Sequence, residues 1–302
     1  MSLDRLLPGA TLVLVLLALP PGAADAQRLI REGRIERLLL ADGEALDGWA
    51  VTEGTLEPSG AHARAGRALL FHIPVDWHAG EVKYPIGWPR CWLKIPPEAQ
   101  DWAGWERLRF WIYADTSRDE LPNLPVTLLI TTTGPRSNWS RDLSLRKGEA
   151  VELVFPLDDL PDRDQAQEIK LSISESRYKD GDTVDFYLDD LELTRFTEPT
   201  VVSLEPLARV GFADDPALPV MVEVLGLPPG EKAEIRLALM NGDAAVATTT
   251  AEVPAGRTRM ALRLPPGLAA GDYRLVVPGQ DAAELGADLR LLDSPWQGGD
   301  GQ

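Results

Sequence analysis

The sequence predicts an all-β protein built as two sandwiches, and three observations lead there. Short runs of alternating apolar and polar residues recur along the chain, separated by clusters of Pro, Gly and Asp. Long helical periodicity is nearly absent after the first 26 residues. Eight of the nine tryptophans precede residue 197 and only Trp296 follows it, so composition changes where a domain boundary is expected. At 302 residues the chain can bury two cores of ordinary size. Cys91 is the only cysteine, so no internal disulfide supports either of them.

The first element, residues 1–26, has the layout of a signal peptide. Arg5 precedes the apolar run TLVLVLLAL, and small residues follow up to Ala24-Asp25-Ala26. The run is far short of the ~20 residues that span a bilayer, and no later segment is long enough either. The expectation is cleavage near Ala26 and a secreted, periplasmic or cell-surface protein without membrane insertion. Next comes QRLIREGRIERLLLADG (27–43), which reads as a short helix or an arm leading into the first strand.

Strands are then predicted in series. In WERLRFWIYAD, Leu108, Phe110 and Ile112 share one face; Arg107, Arg109, Trp111 and Tyr113 share the other. PVTLLITTT aligns Val126, Leu128 and Ile130; EAVELVFPL aligns Val151, Leu153 and Phe155; EIKLSIS aligns Ile169, Leu171 and Ile173. FTEPTVV (196–202) reads as a linker, because Pro199 resists continuing a strand. Beyond it lie PVMVEVLGL, EKAEIRLALM, RTRMALRLP and DYRLVVPG. Asn241-Gly242 marks a hairpin between two of these runs.

The net charge of −17 stays strongly acidic after the first 26 residues are removed. It argues against nucleic acid as a partner and leaves neutral ligands, cationic ligands and Ca²⁺ open.

DWAGWERLRFWIYA, GEAVELVFPLDDL, EIKLSISES and DFYLDDLEL occur in an order that resembles galactose-binding-like jelly rolls, the β-sandwich modules common among secreted carbohydrate-binding modules. The similarity covers roughly residues 35–197. The second region, mainly through GLAAGDYRLVV, is similar to immunoglobulin-like or fibronectin-like domains of bacterial surface proteins. The implied organisation is a galactose-binding-like jelly-roll sandwich over 27–197 plus a smaller immunoglobulin-like β-sandwich over 198–293. A tail at 294–302 is expected to be disordered, with Trp296 free to dock.

In that family the last strand ends in a Y-[ILV]-D-[DN]-[ILV] pattern whose first aspartate helps bind a structural Ca²⁺. The resemblance therefore implies Asp189 as a Ca²⁺ ligand, joined by Asp42 or Glu44 from LADGEALDGW. The plainer reading of Asp189 and Asp190 is a carboxylate that faces water or caps a turn.

Ligand-binding candidates come from the aromatic residues. VDWHAGEVKYPIGWPRCWLKIP places Trp77, Tyr84, Trp88 and Trp92 among His78, Lys83, Arg90 and Lys94. Flat aromatic faces suit the C–H face of a sugar, and fixed donors and acceptors suit its hydroxyls. A second patch holds Arg136, Asn138, Trp139 and Arg141; a third holds Glu175, Arg177 and Tyr178. Trp49, Trp105 and Trp111 are read as core plugs instead.

Catalytic motifs are poorly represented. Asp189 and Asp190 are neighbours, and an ideal strand points neighbours to opposite faces, so they do not form a facing acid/base pair. No G-x-S-x-G occurs, and His62, His72 and His78 lack zinc-ligand spacing. The expectation is a secreted, non-catalytic protein whose jelly roll binds a polysaccharide or other glycan. A structural or protein-interaction role in the cell envelope is the alternative. A polysaccharide lyase or hydrolase on the same scaffold, using His78, Tyr84 and Arg90, is the minor one.

Overall fold

A computed structural model describes residues 29–80, 86–134, 137–228, 230–280 and 285–295. The signal-peptide segment, Tyr84, Arg136 and Trp296 lie outside the described residues.

The first sandwich opens with β1 (Leu29–Glu32), β2 (Ile35–Ala41), β3 (Trp49–Thr52) and β4 (Thr55–Ser59). It continues with β5 (Ala68–Pro74), β6 (Arg90–Lys94), β7 (Arg107–Thr116) and β8 (Val126–Thr132). Then follow β9 (Asn138–Leu143), β10 (Ala150–Pro156), β11 (Ala166–Ser172) and β12 (Thr183–Phe196). One sheet has seven strands, β1, β2, β4, β5, β7, β10 and β12; the other has five, in the order β3-β6-β11-β8-β9. The chain passes back and forth between the sheets in the manner of a jelly roll.

The helix alternative for 27–43 is corrected by the β1–β2 hairpin, paired from Leu29↔Leu38 to Glu32↔Ile35. Gly33 takes φ 58, the positive value that such a two-residue loop needs, and this turns the leucine-rich run into a strand.

Alternation determines what each strand buries. Leu108, Phe110, Ile112 and Ala114 of β7 point inward, as do Val126, Leu128 and Ile130 of β8 and Ile169 and Leu171 of β11. They meet Phe71, Phe186 and the fully buried Trp102 in one continuous core. Trp105 is buried and carries the Arg195 guanidinium 4.9 Å from its ring centroid, while Trp49 is half-buried against the core. Trp111 is not a plug; it stands half-buried on the outer side of β7.

The strand β12 is the axis of the larger sheet. One of its sides pairs with β7 along nearly its whole length. Its other side pairs with β5 over Thr183–Leu188 and with β2 over Leu191–Phe196. Between these partners the strand bulges, with Asp190 at φ 49.

The second sandwich contains β13 (Thr200–Pro206), β14 (Val210–Phe212), β15 (Ala217–Leu225) and β16 (Lys232–Asn241). Its remaining strands are β17 (Ala244–Pro254), β18 (Gly256–Arg263), β19 (Gly271–Val276) and β20 (Ala287–Leu292). A three-stranded sheet, β13-β15-β18, faces a five-stranded one, β14-β20-β19-β16-β17, across a separate core. Asn241 pairs with Ala244, so the two turn residues are Gly242 and Asp243, one position later than the Asn-Gly signal suggests.

Candidate functional site

The outer face of the five-stranded sheet is where predicted residues gather. In β6, Cys91 and Leu93 point into the core, which leaves Arg90, Trp92 and Lys94 outside. Strand register then builds rows across the sheet. One row runs Ala50, Trp92, Lys170, Leu129, Ser140, and the next runs Thr52, Arg90, Ser172, Thr127, Asp142. A third holds Lys94, Glu168, Thr131 and Asn138.

Trp92 is the only aromatic residue in these rows and stands between Ala50 of β3 and Lys170 of β11. Lys170 Nζ stands 5.9 Å from its ring centroid and 3.1 Å from Glu168 Oε2, so the carboxylate steadies the ammonium beside the ring. Thr127 Oγ1 donates to Asp142 Oδ1 at 2.6 Å. The arrangement offers one aromatic plane flanked by donors and acceptors. Cys91 beneath it is buried, and burial pushes its thiol far above the ordinary range, so it is an inert core residue.

Trp88 lies just before β6 and is 53% exposed, the second most exposed large apolar side chain among the described residues. Its loop is held by Glu175, a carboxylate that is almost fully buried. Glu175 Oε2 accepts from Gly87 N at 2.8 Å and Oε1 accepts from Asp76 N at 3.2 Å. Its backbone carbonyl accepts from Trp77 Nε1 at 3.2 Å. One residue thus ties the loop of Trp77 to that of Trp88. The approach is close: a Cβ on Gly87 would lie 2.4 Å from Glu53 Oε2. Trp77 is half-buried, and His78 is exposed with Nε2 3.7 Å from Asp180 Oδ2.

Two aromatic candidates are corrected. Trp139 sits in β9 between outward Asn138 and Ser140, so alternation turns it inward, where it is 5% exposed. Its Nε1 donates to Asp159 Oδ1 at 2.8 Å, and the Arg141 guanidinium lies 4.2 Å from the ring centroid. Tyr178 is 2% exposed and its hydroxyl donates to the Pro125 carbonyl at 3.0 Å. Burial pushes that hydroxyl well above the ordinary tyrosine range. Arg177 donates to the Leu124 carbonyl and braces the same loop. Of the second patch only Asn138 reaches the outer face; Tyr84 and Arg136 lie outside the described residues.

The carboxylates implied for Ca²⁺ are engaged with backbone N–H groups. Asp189 Oδ2 accepts from Arg64 N at 2.8 Å and Ala65 N at 3.3 Å, and Oδ1 accepts from Asp190 N at 2.9 Å. Asp42 Oδ1 accepts from Glu44 N at 3.0 Å, and Glu44 Oε1 accepts from Arg67 N at 2.8 Å. Among the described residues no three His, Cys, Asp or Glu side chains are grouped to hold a metal ion. Each of these carboxylates thus accepts from backbone N–H groups in this structure.

Lys170 and Glu168 are the site residues that sequence reasoning did not single out; Glu175, read there as part of a third patch, is instead a buried brace. The alternation of EIKLSIS put Lys170 outside, but its position beside Trp92 is a matter of long-range register.

No protein-family model and no curated protein matches the chain. Among solved structures it is similar to the family 11 carbohydrate-binding module of a cellulosomal cellulase of Clostridium thermocellum. That match has 13% identity and a TM-score of 0.36, covering 56% of this chain and 95% of that one. It is also similar to a xylan-binding domain from Paenibacillus barcinonensis, at 12% identity and TM-score 0.34 over 58% and 97% of the two chains. A β-1,2-glucanase from Parabacteroides distasonis matches at 16% identity and TM-score 0.35, over 82% of this chain and 36% of that one. Scores this low carry no argument about function; the fold stands on the strand order itself.

Proposed function

We propose that the chain is an exported, non-catalytic polysaccharide-binding protein whose jelly roll holds a sugar chain on the outer face of its five-stranded sheet. The observation that carries this reading is Trp92 with Lys170 beside its ring and Glu168, Arg90 and Asn138 in the adjoining rows. The exposed Trp88 extends that surface at one end. A pyranose presents apolar C–H faces and a rim of hydroxyls, and this surface supplies a partner for each. Export is supported by the N-terminal pattern of residues 1–26. The second sandwich would serve as an immunoglobulin-like spacer or docking domain. Its three-on-five strand arrangement and the bond from the Tyr273 hydroxyl to the Ala269 carbonyl at 2.6 Å support that assignment.

Affinity electrophoresis through gels containing soluble β-glucan, xylan or mannan tests the reading. Retardation by at least one polysaccharide is expected, and Trp92→Ala and Trp88→Ala should each weaken it about thirtyfold, the loss of roughly 2 kcal/mol that follows removal of an aromatic anchor. Absence of retardation in all of them, or undiminished retardation of both variants, would overturn it.

One observation favours a protein partner for the second sandwich: Leu207, Val210, Phe212 and Leu292 are exposed along the β14 edge. Val210→Asp should abolish co-sedimentation with purified cell envelopes if that edge docks there, and leave it unchanged if it does not.

A further inference from the structure

The seven-stranded sheet also presents an aromatic outer face. Tyr113 of β7 and Tyr187 of β12 are register partners, and Leu70 of β5 and Glu57 of β4 extend their row. The adjacent row holds Asp115, Asp185, His72 and Thr55. His62 comes over these rows from the turn between β4 and β5, with φ 52. Its ring stacks on Tyr113 at 3.7 Å between centroids and 6° between planes. Tyr187 meets His62 edge-on at 4.9 Å and Tyr113 edge-on at 5.7 Å.

This group is built rather than accidental. The turn that carries His62 is held by the backbone bonds of Arg64 and Ala65 to Asp189 and of Arg67 to Glu44. Tyr113 covers one face of the imidazole; His62 itself is exposed, so its other face is open. Neither the Tyr113 nor the Tyr187 hydroxyl makes a hydrogen bond with another described residue. The result is a flat ring over two phenols, with two hydroxyls free for a ligand.

Charge selects the ligand. Asp115 and Asp185 occupy the row beside Tyr187 and Glu57 lies farther along its own row; burial, then the charges of Asp185, Asp115, Tyr113 and Glu57, push the Tyr187 hydroxyl above its ordinary value. Asp185 Oδ1 is 2.6 Å from His72 Nδ1, and Asp115 Oδ1 is 3.7 Å from Lys147 Nζ. Glu57 is exposed and pairs with no described residue. Lys147 offsets one of the three carboxylates, which leaves an excess of negative charge beside the aromatic platform.

We infer that the His62–Tyr113–Tyr187 platform is a second sugar-binding site, selective for a sugar unit that carries a protonated amine. The C–H face of the sugar lies on the open face of His62, and the ammonium faces Glu57, Asp115 and Asp185. The site lies on the opposite sheet from Trp92 and stands or falls independently of it.

Calorimetry on the full chain, at low salt and near-neutral pH, distinguishes these arms. The probes are a glucosamine oligomer, its fully N-acetylated counterpart and a neutral gluco-oligomer. The glucosamine oligomer should bind at least about fivefold more tightly than either neutral probe, and added salt should weaken it. Made on a Trp92→Ala background, so that the face around Trp92 does not contribute, Tyr113→Leu, His62→Asn and Glu57→Gln should each weaken it by about fivefold. Asn tolerates the backbone angle of His62, and Glu57 is exposed, so those two variants decide the matter if Tyr113→Leu fails to fold. No binding of the glucosamine oligomer, equal binding of the neutral probes, or loss only with Trp92→Ala would overturn the inference.

Discussion

At the scale of single residues, Asp189 shows how burial sets a carboxylate's task. It is 2% exposed and accepts three backbone N–H bonds where β5 and β2 exchange places beside β12. Asp189→Ala would leave those N–H groups without their acceptor and should lower the free energy of urea unfolding by about 1–3 kcal/mol. The same titration with a chelator should leave the wild-type midpoint where it is if these N–H bonds alone hold the junction; a fall would place a bound cation there. Glu192 gives a pH prediction. Burial, opposed by Arg109 and Arg37, raises its carboxyl above 4.5 in the folded protein. The folded state therefore binds this proton more tightly than the unfolded chain. The resulting stability is fully present below 4.5 and is lost as pH rises through the raised folded value. Wild type minus Glu192→Gln, followed by urea unfolding, should shift in favour of wild type as pH falls from 7 toward about 4.5. A flat difference would refute the raised value. Trp139 makes a contrasting case: Trp139→Ala should cost about 3–5 kcal/mol of stability through the cavity it leaves, because its ring is a core residue.

At the scale of elements, the candidate face depends on two devices. Pairing of β6 with β11 puts Lys170 opposite Trp92, and Glu175 ties the loops of Trp77 and Trp88 together. Glu175→Ala should therefore weaken polysaccharide binding by about tenfold, although Glu175 is buried away from the ligand, and should lower the melting temperature as well, since Gly87 N and Asp76 N lose their acceptor. Unchanged binding alongside a lowered melting temperature would show that the loops are not part of the site. The predicted strand faces follow the period of two: Leu108, Phe110 and Ile112 point inward, as do Val126, Leu128 and Ile130. The same period explains the error at Trp139. Sequence adjacency groups Trp139 with Arg136, Asn138 and Arg141, but β9 begins at Asn138 and its alternation turns the tryptophan inward.

At the scale of the whole molecule, two sandwiches with separate cores meet at a polar junction. Glu106 Oε1 accepts from Gly226 N at 2.6 Å, and Oε2 accepts from Phe196 N at 2.9 Å. Arg107 Nη2 is 3.6 Å from Glu223 Oε1 across the same junction. Glu106→Ala should loosen the pair without unfolding either core. The readout is faster proteolytic cleavage near Pro199 with far-UV circular dichroism unchanged; an unaltered cleavage rate would mean that the linker alone sets the arrangement.

Composition and periodicity determined by themselves that this chain is all-β, where most strands lie and which side of each is apolar, because those properties belong to neighbours in sequence. Only the tertiary structure decided that Lys170 stands beside Trp92, that Glu175 joins two loops and that His62 lies on Tyr113. Each of these depends on register between strands far apart in the chain. A shift of one residue would exchange every inward and outward side chain without changing the local pattern.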